Sequence, residues 1–216
     1  MPSFKWYIEA VSNAKFIESS LNSATLSLLC AIVATPVAFV CALSWWSIRQ
    51  RNTFIIILVL ISVTPPETLG ILFGTVSNYF ELYEVSYLFQ AYALTIKALP
   101  FAVFMIWGML KELDQNLVKA SRDSGASNQV TAIRIILPLT VPALVSAFLL
   151  SFLLSFNDYG ITSYLSGATE YLSEYINGKV NSGADPTVFA SGGINILMAS
   201  LFMLVSFLVY KLSLSE

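Results

Sequence analysis

The sequence predicts an all-α integral membrane fold with five membrane-spanning helices. Three observations carry the prediction. Hydrophobic residues make up 56% of the 216 and charged residues only 11%, with a mean hydropathy of +0.74; soluble domains carry about 25% charged residues. The apolar residues gather into five runs, at 24–46, 53–76, 88–110, 138–156 and 191–212, each about the length that crosses a bilayer core as a helix. The polar stretches between the runs alternate in basic content, which gives the runs an orientation. The same composition excludes other classes. A net charge of −2 makes no electrostatic case for nucleic acid. The absence of His removes imidazole metal sites, His general bases and His pH switches.

Residues 1–22 are mixed polar and aromatic, without the pattern of a secretory signal. Trp6 and Tyr7 suit a headgroup region, and the segment is expected to be an amphipathic helix on the outer surface. The run 24–46 contains both cysteines, Cys30 and Cys41. Along a helix they are roughly 16 Å apart, beyond disulfide reach, so both are expected to be packing residues. Trp45 and Trp46 close this run, and Arg49 and Arg51 follow it. The run 53–76 is interrupted by Thr64-Pro65-Pro66-Glu67-Thr68-Leu69-Gly70. Proline removes a backbone donor and kinks a helix, and broken helices often line transporter sites. Gly70 and Gly74 form a small-residue pair suited to close packing. The run 88–110 contains Pro100 and one basic residue, Lys97.

The connection 47–52 holds two arginines, and 111–137 holds Lys111, Lys119, Arg122 and Arg134. By contrast, 77–87 holds no basic residue and 159–190 holds only Lys179. The basic connections are therefore expected in the cytoplasm and the other two outside. With five runs the N-terminus falls outside and Lys211, at the C-terminal end, inside. No linker or long repeat divides the chain, so residues 1–216 are expected to form a single membrane domain.

The stretch 111–137 reads as a short helix, a Ser-Gly-Ala-Ser break and a second helix. Leu117, Ala120 and Ser121 are expected on one face of the first, and Val130, Ile133 and Ile136/Leu137 recur at helical spacing in the second. Gly125 is where the first helix is expected to stop and turn, and Pro138 and Pro142 mark the return to apolar sequence. KASRDSGASNQVTAIRIILPLTVPAL resembles the EAA loop of bacterial ABC-importer permeases: Glu-Ala-Ala, three residues, Gly, a spacer and a closing Leu-Pro. Ala120, Gly125, Ala126, Ile136, Leu137, Pro138 and Pro142 match the pattern, and Lys119 stands where the family has Glu. Ser155-Phe156-Asn157-Asp158-Tyr159-Gly160 resembles the acidic element that follows this loop in permeases for polyamines, ferric ion and molybdate. The likeness extends over about 4–212 and is closest to spermidine/putrescine-type permeases.

The resemblance implies an ABC importer type I permease fold, with 111–137 as a cytoplasmic coupling loop that seats in an ATPase subunit. On it, Lys119, Ala120, Ser121, Asp123, Gly125, Ala126 and Arg134 become candidate ATPase-coupling residues. It further implies partner ATPases, a second permease chain (a heterodimer rather than a homodimer), an extracytoplasmic solute-binding protein and a bacterial inner-membrane location. Such permeases usually have a sixth helix upstream, so a longer natural protein or a lost helix is expected. The solute expected is small and polar, polyamine-like, with an anionic or zwitterionic one (phosphonate, ferric complex, thiamine) as alternative. A different class, a stand-alone channel or membrane-embedded enzyme, would need its own convergent ionisable site. No Gly-rich phosphate loop, zinc motif or Cys cluster occurs; ATP and Mg are expected on the partner, and no cofactor or catalytic residue in this chain.

Glu67, Lys97, Asn157, Asp158 and Tyr159 are candidate pathway-lining residues. Charges in a membrane usually face a cavity or a partner. Glu67 and Lys97 both lie about 14 Å from the outer ends of their runs, and consecutive antiparallel helices are usually neighbours. An isolated charge at that depth costs about 2.5–3.5 kcal/mol. The expectation is that Glu67 and Lys97 pair, or share a water-filled cavity with Asp158. The outer connection, rich in Tyr (159, 164, 171 and 175), is expected to form a short helix before a Gly183–Pro186 turn.

Overall fold

The computed structural model describes residues 4–47, 51–82, 86–183 and 186–213, and among these it is helical with no strand. In chain order the helices are α1 (Phe4–Ser12), α2 (Ala14–Ser47), α3 (Arg51–Val63), α4 (Pro66–Tyr79), α5 (Ser86–Glu112) and α6 (Gln115–Asp123). Then come α7 (Asn128–Thr131), a π-helical turn (Ala132–Ile136), α8 (Leu137–Leu139), α9 (Val141–Phe156), α10 (Thr162–Leu165), α11 (Leu172–Asn181) and α12 (Pro186–Ser213).

The centre of the molecule is α2, α5 and α9, each packed against the other two. Small residues four apart make this possible. Ala34, Ala38 and Ala42 on α2, Ala98 and Ala102 on α5, and Ala143, Ala147, Ser151 and Ser155 on α9 are all buried. Residues four apart share a helix face, and small side chains there let backbones approach where the bilayer itself gives no hydrophobic drive. Cys30 lies in the same seam, accepting from the Ser155 hydroxyl at 2.9 Å and the Thr95 hydroxyl at 3.6 Å. It is a packing residue, as the spacing predicts.

Among the described residues three helices are long and apolar enough to cross a membrane, and the count rises to five if each of two bent pairs is one span. The predicted single span 53–76 is instead α3 and α4, bent by 86°. Pro65 holds ψ at 138° and Pro66 starts the next helix. Two consecutive residues thus lack an N–H, and each proline forces its predecessor out of the helical region. The second pair, Asn128–Leu139 with α9, is bent by 73°. Pro142 cannot donate to the Pro138 carbonyl, and the buried Thr140 hydroxyl turns back to Ile136 O at 3.0 Å. The expected run 138–156 therefore forms a straight helix only from Val141, and its first residues belong to the bent segment before it.

The first span also differs. α1 is the expected surface helix and packs on α12, but α2 starts at Ala14, well inside the predicted surface segment. The polar residues there are held by the outer connection: Leu172 N–H donates to Ser23 Oγ at 2.8 Å, and Asn22 Nδ2 to Glu170 O at 3.1 Å. The last span is longer than expected, starting at Pro186. In the expected Gly183–Pro186 turn, residues 184–185 lie outside the described residues, as does Arg49.

Candidate functional site

At one end of the bundle, α9 gives way to a turn at 157–161 on which five elements converge. Asp158 organises it. Its Oδ1 accepts from the Ile161 N–H at 2.7 Å and the Thr162 N–H at 3.3 Å, capping α10. Its Oδ2 is ion-paired with the Lys97 ammonium from α5. Its carbonyl accepts from the hydroxyls of Thr162 and Ser173, each at 2.7 Å. The Asp158 side chain has no exposure, whereas Lys97 keeps 23%. Lys97 thus pairs with Asp158, and the expected Glu67 pairing is overturned. Glu67 is exposed, in the first turn of α4, and has no ion-pair partner among the described residues.

Glu67 still touches this turn. A Cβ added at Gly160 would lie 3.0 Å from Glu67 Oε1 and 2.7 Å from Pro66 Cβ. Reciprocally, a Cβ at Gly70 would meet the Gly160 carbonyl at 2.9 Å, and one at Gly74 the Tyr164 carbonyl at 3.3 Å. The glycine pair on α4 therefore allows close packing, against this turn rather than against a second long helix. Tyr159 is exposed. Asn157 is exposed and accepts from Asn195 Nδ2 of α12 at 2.6 Å. The adjoining outer connection is tied to α5 by the Tyr171 hydroxyl, which donates to Gln90 Oε1 at 2.8 Å. Glu174 closes the first turn of α11 by accepting from Tyr171 N–H at 3.2 Å, and burial pushes its carboxyl above the usual range.

The opposite end carries 111–137. Asp114 caps α6, accepting from Asn116 N–H at 2.9 Å. Gly125 ends it at φ +82°. Gly125 N–H bonds Arg122 O at 2.9 Å and Ala126 N–H bonds Ser121 O at 3.1 Å, a Schellman ending that satisfies two orphan carbonyls. Ser127 then caps α7. The face that α6 turns to the bundle is Val118 and Ser121, whereas Leu117 and Ala120 of the expected Leu117/Ala120/Ser121 face are exposed. Val118 joins Trp45, Leu110 and Ile136 in one apolar cluster. Ser121 Oγ lies 2.9 Å from Thr131 Oγ1, and Thr131 in turn bonds Ser127 O at 3.1 Å, so α6 and α7 form one unit. Leu117, Lys119, Ala120, Asp123, Gly125 and Arg134 are exposed, and Ala126 is half-buried. Of the predicted apolar face in the second helix, only Ile136 is buried, and Ile133 is 63% exposed. The π-helical turn shifts the register between them.

Two features escaped the sequence reading. Trp45, at the close of the first run, is buried and stacked on Trp107 at 4.0 Å, with Phe54 and Phe104 around it and Lys111 Nζ 4.1 Å from the Trp107 centroid. The four-residue spacing of Ala and Ser in the apolar runs could have identified the central seam.

The profile of the family described as "Binding-protein-dependent transport system inner membrane component" matches residues 19–214. The spermidine/putrescine transport system permease protein PotC of Haemophilus influenzae is 28% identical over 214 residues, covering 97% of this chain and 82% of that protein. Among solved structures, the inward-facing MetNI methionine ABC transporter has a chain similar at TM-score 0.67 and 16% identity, covering 93% of this chain and 99% of that one. A bacterial alginate ABC transporter in complex with its alginate pentasaccharide-bound periplasmic protein gives TM-score 0.68 at 15% identity, covering 98% and 83%. At these identities the two structures speak for the fold.

Proposed function

The chain belongs to the family of binding-protein-dependent transport system inner membrane components, and from that premise we propose that, as an ABC-importer permease subunit, it carries a small polyamine-like cation into a bacterial cytoplasm. The observation that carries the coupling half of this reading is the unit of α6 and α7. One face is pinned to the bundle through Val118 and Ser121, and the other is bare at the basic end of the molecule. Partner ATPases that close on ATP and Mg would grip the bare face, with Lys119, Ala120, Asp123, Gly125, Ala126 and Arg134 in or beside the contact. Their movement passes from α7 through the π-helical turn and α8 to α9, whose far end is the Asp158 turn. A push on the coupling loop is thus delivered to a turn packed against α4 and α5 and hydrogen-bonded to α11 and α12.

Electrostatics support a cationic solute. Apart from Asp158, which is buried against Lys97, the two outer stretches, 64–87 and 157–190, contain Glu67, Glu81, Glu84, Glu170, Glu174 and Asp185 against a single basic residue, Lys179. Such a charge balance concentrates cations. Lys97, which taken alone would favour an anion, is neutralised by Asp158. The spermidine/putrescine function of the PotC relative is of the same class. Single-domain permeases cannot readily enclose a path, so a second, different permease chain completes it, fed by a solute-binding protein from outside. The test is reconstitution of the assembled importer in nanodiscs, with ATPase stimulation measured for spermidine, putrescine, phosphonate, ferric complex and thiamine, each with candidate binding proteins. Stimulation by the amines supports the reading; stimulation by phosphonate, ferric complex or thiamine alone replaces it.

A further inference from the structure

The Lys97–Asp158 pair is asymmetric in a way that bears on which solutes can pass. The Asp158 carboxylate is wholly buried and its Oδ1 is bound by backbone N–H groups that cannot leave. Its remaining partner, the Lys97 ammonium, sits on a flexible four-carbon stem and is partly exposed. A buried carboxylate must keep a cation beside it, but nothing requires that this cation be the same one throughout. A long lysine stem can hold its head group in water while its methylenes stay packed. We propose that Lys97 is a tethered counter-ion which a primary ammonium group of the solute displaces from Asp158, making this pair a specificity-determining element of the path.

The exchange conserves charge. One ammonium leaves Asp158 as another arrives, so the buried carboxylate is never left unpaired. A neutral or anionic solute offers no replacement and leaves the pair closed. The tether also serves release. A path must bind its solute well enough to load and weakly enough to unload, and a bare buried carboxylate would hold a diamine too firmly. Lys97, always at hand, returns to Asp158 and expels the solute. Position adds to the case: Lys97 and Asp158 meet on the turn that touches Glu67, an exposed carboxylate without an ion-pair partner among the described residues. A second ammonium of a diamine would find its counter-charge there.

This inference rests on the cationic-solute reading, and its test separates the two. The assembled importer in nanodiscs is compared with its Lys97→Met variant, using radiolabelled putrescine without binding protein. Removing a resident competitor raises apparent affinity by the inverse of the fraction of time the site is free, so Lys97→Met is expected to bind putrescine about tenfold tighter or more. In transport, KM should fall and kcat should fall with it. A Lys97 that only holds the fold gives no tighter binding, and its loss is repaired by Lys97→Met with Asp158→Asn. In Lys97→Ala, propylammonium should restore the lost thermal stability saturably and tetramethylammonium, which has no N–H to donate, should not. If Lys97→Met does not assemble, that rescue decides: restoration supports the exchange and its failure overturns it. A wild type that imports amines while Lys97→Met gains no putrescine affinity overturns the exchange alone. A wild type that imports no amine overturns the solute assignment, whereas the alkylammonium rescue still reports on the exchange.

Discussion

A methyl group has nowhere to go at Gly160. Its Cβ would come within 2.7 Å of Pro66 Cβ, which is held by a rigid ring, and the facing Gly70 meets a backbone carbonyl at 2.9 Å. Neither obstacle is the far end of a flexible side chain, so relief requires the turn and α4 to separate. Gly160→Ala is expected to cost about 1–3 kcal/mol, in the range of overpacked core substitutions, read as a lower melting temperature of the nanodisc-embedded importer. Gly178→Ala, with open space around it, is the control and should be close to neutral. Equal melting temperatures for the two variants would show that the contact at Gly160 is not tight. The same turn shows what residue-level reading of the sequence reached and missed. Asp158 and Lys97 stood out because charges in apolar sequence are costly wherever they lie. Their pairing with each other did not follow, because counting residues gives depth along a helix and not direction around it. Glu67 was assigned the depth of a straight span, whereas the 86° bend turns α4 away from the line of α3.

The coupling loop was legible to the extent that its signals are local. A helix that ends at Gly125 needs only a residue tolerant of positive φ and two orphan carbonyls to satisfy, and both conditions are written in Ser121–Ala126. Helical spacing groups Leu117, Ala120 and Ser121 on one face, but spacing alone does not say which side of α6 meets the bundle, and that side is Val118 and Ser121. An exposed Leu beside Lys119 and Ala120 has a use if another chain covers it. The π-helical turn had no sequence signal of its own; it arises where α7 must continue toward Pro138 in a different register. For Gly125 the space around the Cα is open, so a substitution there acts on the backbone. Gly125→Ala should cost about 1 kcal/mol of loop stability and leave coupling reduced. If an ATPase covers this surface as proposed, Gly125→Asp adds a charge to the contact and should uncouple the importer while leaving the chain in the membrane. Solute-stimulated ATPase at the wild-type level in Gly125→Asp would remove 111–137 from the coupling role.

Five spans can be checked on the whole molecule without reference to any single helix length. One end is fixed by contacts among Ser23, Leu172, Gln90 and Tyr171, and the other by Trp45, Leu110, Val118 and Ile136. α2 begins at the first end and finishes at the second. α5 also begins at the first, where Ser86 Oγ donates to Leu165 O at 2.8 Å. The chain from Trp45 to Ser86 must therefore travel from one end to the other, so α3 and α4 together make one crossing despite their bend, not a re-entrant loop. By the same reasoning α9 crosses back, from Ile136 to Ile161, and α12 is the fifth span. Apolar composition found all five runs because hydrocarbon solvent imposes that pattern, but the bends were left open because a proline marks a break without setting its angle. Basic residues then assign the end with 111–137 to the cytoplasm. The prediction is that an impermeant thiol reagent, applied outside, labels single cysteines at Asn78 and Asn181 and not at Ser127. Asn78 is exposed, whereas the neighbouring Ser77 is buried with its hydroxyl turned to Leu82 O and would stay unlabelled on either side. Cys30 is buried and Cys41 half-buried within a span, so neither should give background with a membrane-impermeant probe. Labelling of Asn181 only after the membrane is opened would invert the molecule, and labelling of Asn78 and Ser127 from the same side would mean that α5, the span between them, does not cross.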